Sequence, residues 1–440
     1  MDIIPQVAKG IQYVLTSVSD FIAGQSGFIQ RLRKLSGSSF VQTLVFGWLS
    51  NPHATLEELS QTAATLGITI TPQGLDKRFT DKAADCLRQI LEVATATVVA
   101  DKPVAIPILQ RFNGVYIQDS STITLPDVLA VIWSGCGGST DQNTSSSLKT
   151  QIRLNLNTGE LCGPYLQHGK EHDQSSKLNE IPLPKGALRI ADLGYFSLSL
   201  FNDYDASQVY WLSRVKVSCD VYFSGKRWDL LTLLEKHCQD ELDIPILLGV
   251  KEQVNCRLLA VKVPDNIAKL RRCKLIKEAQ SKGKKVSEKS LKVASFQILA
   301  SNVPKELLSL EEALVLMRTR WQIELIFKLW KSHGFVDEWR SQKPWRIMCE
   351  VYAKLIAMII QHWILLVGCW QYPNRSLFKA VKTIQRHAMS LATAFASGRY
   401  ERLIEILETI QRCLAVGCKI NKRREKPHNY QLLLQFTENP

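Results

Sequence analysis

The segment from Met317 to Lys331 constrains this chain most, because it is a helix-forming run, apolar on most sides, that keeps a carboxylate between two cations. At about 100° per residue, Arg320, Glu324 and Lys331 fall within about 40° of one another. Trp321, Ile323, Leu325, Ile326, Leu329 and Trp330 spread round the rest of the wheel. A helix apolar on most sides is a buried helix, and buried charge without a partner is expensive. Two readings follow: the stripe lines a functional site, or Arg320 and Glu324 form an ordinary i,i+4 pair worth about 0.2–0.5 kcal/mol. The helix alone does not choose between them.

Two other segments supply carboxylates of the same promise. Val115 to Asp119 is a short β-rich run that meets Ser120, Ser121 and Thr122, so Asp119 is expected where a strand gives way to a turn. Leu188 to Asp192 repeats the design and meets Leu193, Gly194 and Tyr195. Ligands and catalytic groups collect at strand ends in α/β sheets. An Asp after a strand is also a plain turn former, and either one alone would be read that way.

Taken together, the three segments resemble the DDE transposases of insertion sequences, in particular the insertion-sequence-four family with its Tyr-x2-Arg-x3-Glu-x6-Lys signature. Arg320, Glu324 and Lys331 match that spacing, and Met317 stands where the family has Tyr. The likeness extends over Asp119 to Thr122 and over Ala191 to Ser197, and runs from roughly residue 40 to residue 370. It implies a metal-dependent nuclease and strand transferase that binds the terminal inverted repeats and the target as double-stranded DNA. Asp119 would bridge two Mg2+ ions, with Mn2+ able to substitute, and Asp192 and Glu324 would each hold one of them. Arg320 and Lys331 would hold DNA phosphates. Some relatives of this type cut through a hairpin, which the resemblance makes the expected route here, and Met317 lacks the hydroxyl that the Tyr would offer. Two alternatives stay open: a catalytically silent DNA-binding protein derived from a transposase, and a ribonuclease H-like nuclease of another pathway.

The chemistry accounts for the residue types. Phosphoryl transfer at a diester needs an activated attacking oxygen and a stabilised leaving oxygen, and two divalent ions about 3.5–4 Å apart can serve both. Mg2+ takes oxygen ligands, so two Asp and one Glu suffice. The formal net charge of +14 fits a polyanionic partner. Much of the excess lies between Lys269 and Lys292 and between Lys419 and Lys426. Such runs are either a solvated face or a phosphate-contacting surface. The eleven cysteines are scattered without a Cys-x2-Cys pair, which fits reduced thiols in the cytoplasm; association with the bacterial nucleoid is what the family resemblance implies. His168 and His172 read as part of a polar loop, and Leu355 to Trp370 as a core helix with no membrane partner.

Along the chain, residues 1–105 read as a separate helical DNA-binding domain. One helix opens at Thr55 and closes at Gly67, and another starts at Thr71 with Pro72 in its first turn. The pair is compatible with a helix-turn-helix presenting Gln73, Lys77 and Arg78, or with a plain helical hairpin. Residues 106–215 and 306–370 form the expected catalytic core, with a loop from Gly137 to Ser147 and a hairpin from Leu154 to Leu161. The order of strands and acids resembles a ribonuclease H-like core, so the expected class is α/β. Residues 216–305 carry β-patterned runs and read as an inserted, mainly β subdomain, which in relatives clamps the DNA end. Within it Trp228 is a stacking candidate or a core residue. Residues 371–440 read as a C-terminal helical region with a basic tail, and helices from about Trp345 to Ala396 and from Arg399 to Gly417 are expected to cover the sheet. Action on two element ends implies a homodimer in the DNA complex.

Overall fold

The computed structural model describes residues 2–31, 35–135, 145–281, 283–420 and 428–436. Its centre is a ten-stranded sheet made of β1 (Val115–Leu125), β2 (Ser146–Asn155), β3 (Leu161–His168), β4 (Leu188–Ala191), β5 (Tyr210–Arg214), β6 (Val221–Phe223), β7 (Lys226–Trp228), β8 (Glu241–Leu248), β9 (Val254–Lys262) and β10 (Phe296–Ser301). The strands lie in the order β3-β2-β1-β4-β5-β10-β9-β8-β6-β7. β1, β2 and β3 are antiparallel neighbours, whereas β4 runs parallel to both β1 and β5. Every residue of β4 is buried, as expected of a parallel strand covered on both faces.

The hairpin between β2 and β3 is fixed by what lies under its tip. Gly159 has φ +72°, and a Cβ built on it would come within 2.5 Å of Leu366 Cδ2. Its carbonyl is 2.7 Å from His362 Nε2, and Trp370 Nε1 donates to Leu156 O at 3.3 Å. Both partners belong to, or follow, the helix Pro344–Gly368, which starts with Pro in its first turn and is buried from Ile347 onward. This helix is long and apolar enough to cross a membrane by composition, yet it is enclosed within the molecule. It is the core helix that the sequence suggested.

The chain's two ends do not form separate layers. The helices Gly37–Ser50 and Asp81–Ala96 pack on Pro344–Gly368, and Ile3–Tyr13 packs on Tyr400–Gly417. A single hydrophobic cluster runs from Ile3 through the sheet to Leu433. The N-terminal helices are therefore joined to the catalytic part instead of standing apart from it. The helices Leu377–Ala396 and Tyr400–Gly417 mainly complete that bundle, while Pro344–Gly368 also reaches the sheet at β3. The expected helix-turn-helix is also modified, because its second helix, Pro72–Asp76, is barely more than one turn. Asp76 pairs with Lys343 at 2.6 Å and Arg346 at 3.2 Å, which ties this segment to the core helix.

The segment after β5 continues the same sheet and contains the helices Leu230–His237, Asp265–Gln280 and Glu288–Val293. Helices thus stand beside strands where a mainly β insert was expected. A second hydrophobic cluster joins this segment to β5 and the helix Leu198–Ala206, whose Trp211 and Phe201 stack at 4.0 Å. Trp228 packs against this cluster, its Nε1 donating to Phe223 O at 3.3 Å and Lys236 lying over its ring. The runs around Gly137–Thr144 and 421–427 fall outside the described residues, while Ser146 and Ser147 belong to β2.

Inside the core helix, Lys354 is 1% exposed and pairs with Glu350 at 2.8 Å. It also donates to Phe335 O and Glu338 O, fastening the segment that follows the helix Trp321–Ser332. Removing one partner strands a buried charge. Lys354→Met is expected to cost about 3–5 kcal/mol, measured by denaturant unfolding; a loss within error of zero would show that the pair is not needed.

Candidate active site

Sheet register brings the first two acids together. β1 pairs with β4 only as far as Gln118 opposite Ala191, so Asp119 and Asp192 are the next residues on two adjacent parallel strands. Asp119 is not at the end of its own strand. Ser120, Ser121 and Thr122 continue antiparallel pairing with Gln151, Thr150 and Lys149 of β2, because the small polar side chains tolerate a half-exposed ladder. What ends at Asp119 is the parallel pairing, and that makes it a strand-end position in the sense that matters for a ligand. Asp192 opens the turn Leu193–Tyr195, with Tyr195 N donating to Asp192 O at 3.0 Å.

The third acid arrives on a helix. The helical run around residue 320 is divided into Leu310–Thr319 and Trp321–Ser332, with Arg320 at the junction. Its φ of −51° and ψ of −30° keep the chain helical in direction, so the Arg320–Glu324 spacing survives. Arg320 Nη2 lies 2.6 Å from Glu324 Oε1, and Arg320 Nη1 lies 3.0 Å from Asp119 Oδ2. The arginine side chain is 7% exposed. It bridges the acids of the strand and the helix. Glu324 sits in the first turn of its helix, where a carboxylate is favoured by the helix dipole.

Lys331 lies further along, its Nζ donating to Thr122 O at 2.8 Å and standing 3.8 Å from Asp337 Oδ2. The helix is thereby tied to β1 at two places. Met317 does not join the site. It is 5% exposed and belongs to the hydrophobic cluster, because three residues before Arg320 the helix turns its apolar side to the core.

One cation was missed by sequence reasoning. Arg214 ends β5, and because Ala191 pairs with Ser213, Arg214 falls beside Asp192. Its Nη1 is 3.6 Å from Asp192 Oδ1. The signal was positional: Asp119, Asp192 and Arg214 form one row across three consecutive strands, which only the register reveals. His168 is engaged elsewhere, its Nδ1 accepting from Ser134 N at 3.1 Å, and His172 is exposed. Among the described residues, neither joins a metal-like cluster.

Burial pushes the Asp119 carboxyl up to about 6, against the Ser120 N–H and Arg320, which lower it, and with Glu324 and Asp192, which raise it further. Ser120 N donates to Asp119 Oδ1 at 2.8 Å. Asp192 Oδ1 is buried and makes no hydrogen bond. Among the described residues, no three His, Cys, Asp or Glu side chains stand close enough to enclose a metal ion as arranged. Arg320 occupies the space between two of the acids.

The family profile of transposase DDE domains matches residues 110–360. The chain belongs to this family. The match spans β1, β4, β5 and the helix of Glu324, and so includes all three acids. The transposase for insertion sequence element IS231B of Bacillus thuringiensis subsp. berliner is 27% identical over 96% of this chain and 91% of its own length. The transposase for insertion sequence element IS1151 of Clostridium perfringens is 26% identical over 77% of this chain and 76% of its own length. Among solved structures, a piggyBac transposase synaptic complex with hairpin DNA aligns over 95% of this chain and 86% of that one, at 10% identity and a TM-score of 0.46.

The raised Asp119 value fixes the sign of a pH effect. Between about pH 4 and pH 6 the folded chain keeps a proton that the unfolded chain has released, so this group's contribution to stability falls as pH rises through that window. In EDTA, Asp119→Asn is expected to be more stable than the parent at pH 8, by up to about 3 kcal/mol, and to lose most of that advantage near pH 4. Thermal melts at the two pH values decide it, and an equal difference at both would refute the assignment of the shift.

Proposed function

We propose that this DDE-family chain is the transposase of a bacterial insertion sequence, which binds the ends of its element, cuts the DNA and joins it to a target. The observation that carries the proposal is that buried Arg320 joins Asp119 to Glu324, while the register of β1 and β4 sets Asp192 on the strand next to Asp119. The strand order β3-β2-β1-β4-β5, with one acid on β1 and the next just after β4, is the arrangement of a ribonuclease H-like core. The relatives' own names and the signature Arg320-x3-Glu324-x6-Lys331 support an insertion-sequence transposase of the insertion-sequence-four kind.

The residues fit divalent cations. The donor set is all oxygen, as Mg2+ or Mn2+ prefers. Asp192 Oδ1 is buried without a hydrogen bond, and Asp119 is crowded by two like charges. Two bound ions would supply Lewis acidity and a more acidic bound water. Asp119, Asp192 and Glu324 would hold them. Arg320 keeps the two acids it bridges from repelling each other, and Arg320, Arg214 and Lys331 give the site the positive potential that a phosphate backbone requires. The net charge of +14 and the exposed lysines of the helix Asp265–Gln280 extend that potential. A homodimer pairing two element ends, and second-strand cleavage through a hairpin, complete the reading. The hairpin step would have to proceed without help from residue 317, since Met317 is in the core.

The decisive test is cleavage of DNA carrying the element end, resolved on a denaturing gel. Nicking is expected with Mg2+ and not with EDTA, and Glu324→Gln is expected to bind the same DNA yet cut nothing. Metal-independent cutting, or cutting by Glu324→Gln, would end this assignment. A hairpin band would establish the route. Lys331→Ala is expected to weaken end binding and reduce the slope of log K against log salt by about 1; an unchanged slope would remove Lys331 from the phosphate contacts.

A further inference from the structure

A fourth carboxylate stands beside the proposed centre. Asp173 opens the short turn Asp173–Ser175. Its Oδ1 accepts from Ser120 Oγ at 2.9 Å and Gln151 Nε2 at 3.0 Å, and lies 3.2 Å from Lys149 Nζ. Ser120 is the chain neighbour of Asp119 and donates its N–H to Asp119 Oδ1. On its other side Asp173 lies against the turn that carries Asp192, where a Cβ built on Gly194 would stand 3.2 Å from Asp173 Oδ2. The same turn is held twice more. The Tyr195 hydroxyl donates to Gln151 Oε1, and Gln174 Nε2 donates to Phe196 O at 2.7 Å.

We propose that Asp173, held by Lys149, is a positioning residue of the nuclease centre that links the strand of Asp119 to the turn of Asp192. This rests on the assignment of those two acids made above. The need for such a link follows from the sheet. Pairing between β1 and β4 ends at Gln118 and Ala191, so no ladder bond beyond that point sets the separation of the two backbones that carry the acids. Asp173 and Gln151 cross the gap. A carboxylate suits the task because one oxygen accepts several donors at once. Lys149, whose side chain is 11% exposed, cancels its charge, so the link adds no net repulsion among the three acids. A carboxylate that merely shaped its own turn would leave the relation between Asp119 and Asp192 untouched.

The test uses the full chain and two readouts. Binding of Mn2+ alone is followed by electron paramagnetic resonance, and cleavage of the element end is followed in a single turnover. In Asp173→Asn, Mn2+ affinity and cleavage rate are both expected to fall about 10–100-fold, the usual cost of losing an outer partner of a metal ligand, with DNA-end affinity unchanged and the melting temperature lowered because Lys149 loses its partner. Ser120→Ala removes one bond and no charge, and is expected to move both readouts the same way by less. Parent-like Mn2+ binding and cleavage in Asp173→Asn overturn the proposal, as does a fall matched by an equal loss of DNA-end affinity. If Asp173→Asn does not fold, parent-like behaviour of Ser120→Ala overturns it. Glu324→Gln run alongside separates the two assignments. Cleavage by Glu324→Gln defeats the nuclease reading itself, whereas an inert Glu324→Gln beside a parent-like Asp173→Asn defeats only this one.

Discussion

The guanidinium of Arg320 holds together two carboxylates that would otherwise repel each other. Asp119 and Arg320 are 201 residues apart in sequence and 3.0 Å apart in space. Taking one carboxylate out of water is costly, and placing a second beside it costs more. A buried arginine with a planar fork answers both costs at once, because separate N–H groups reach separate acids. It also fixes the helix Trp321–Ser332 against β1, and Lys331 repeats the attachment through Thr122 O. The site and the packing of this helix on the sheet are therefore one arrangement.

The insert has to return the chain to that point. It does so by extending the sheet: β10 pairs with β5 on one side and β9 on the other, and leads into the Ser309 capping box of the next helix. Arg257 of β9 donates to Val303 O and Leu308 O and pairs with Asp243 at 2.6 Å, pinning the connection. Arg111, just before β1, reaches Glu312 at 2.8 Å. The start of the acid-bearing helical run is clamped from both the insert and the core. A long insertion is tolerated here because its ends leave and re-enter on adjacent strands, so its length adds little to the closure cost.

Much of the candidate site was legible in the sequence because its residue types are unusual for their surroundings. A Glu between Arg and Lys on an apolar helix, and an Asp after each of two apolar runs, stand out against the core patterns around them. Asp119 was nonetheless expected in a turn, since Ser120 to Thr122 resemble a strand stop; antiparallel pairing with β2 carries them on as strand. Arg214, Lys149 and Asp173 carried no such contrast. Each is an ordinary charged residue in its own segment, and acquires meaning only from the strand register or from a loop folding back. Met317 was expected near the site by its spacing, but spacing along a helix does not say which face meets the core.

The sequence by itself determined the local elements and the chemical character of the site. Alternating and helical apolar patterns set strands and helices, capping residues set helix starts, and the three acids with Arg320 and Lys331 set the chemistry proposed for the site. The tertiary structure alone decided that the N- and C-terminal helices share one bundle, that the insert extends the sheet, and that Arg320 lies between Asp119 and Glu324. The reason is physical. Local patterns depend on neighbours within a few residues, whereas register, bundle partners and charge pairing depend on contacts between segments whose separation in the chain carries no trace of their separation in space.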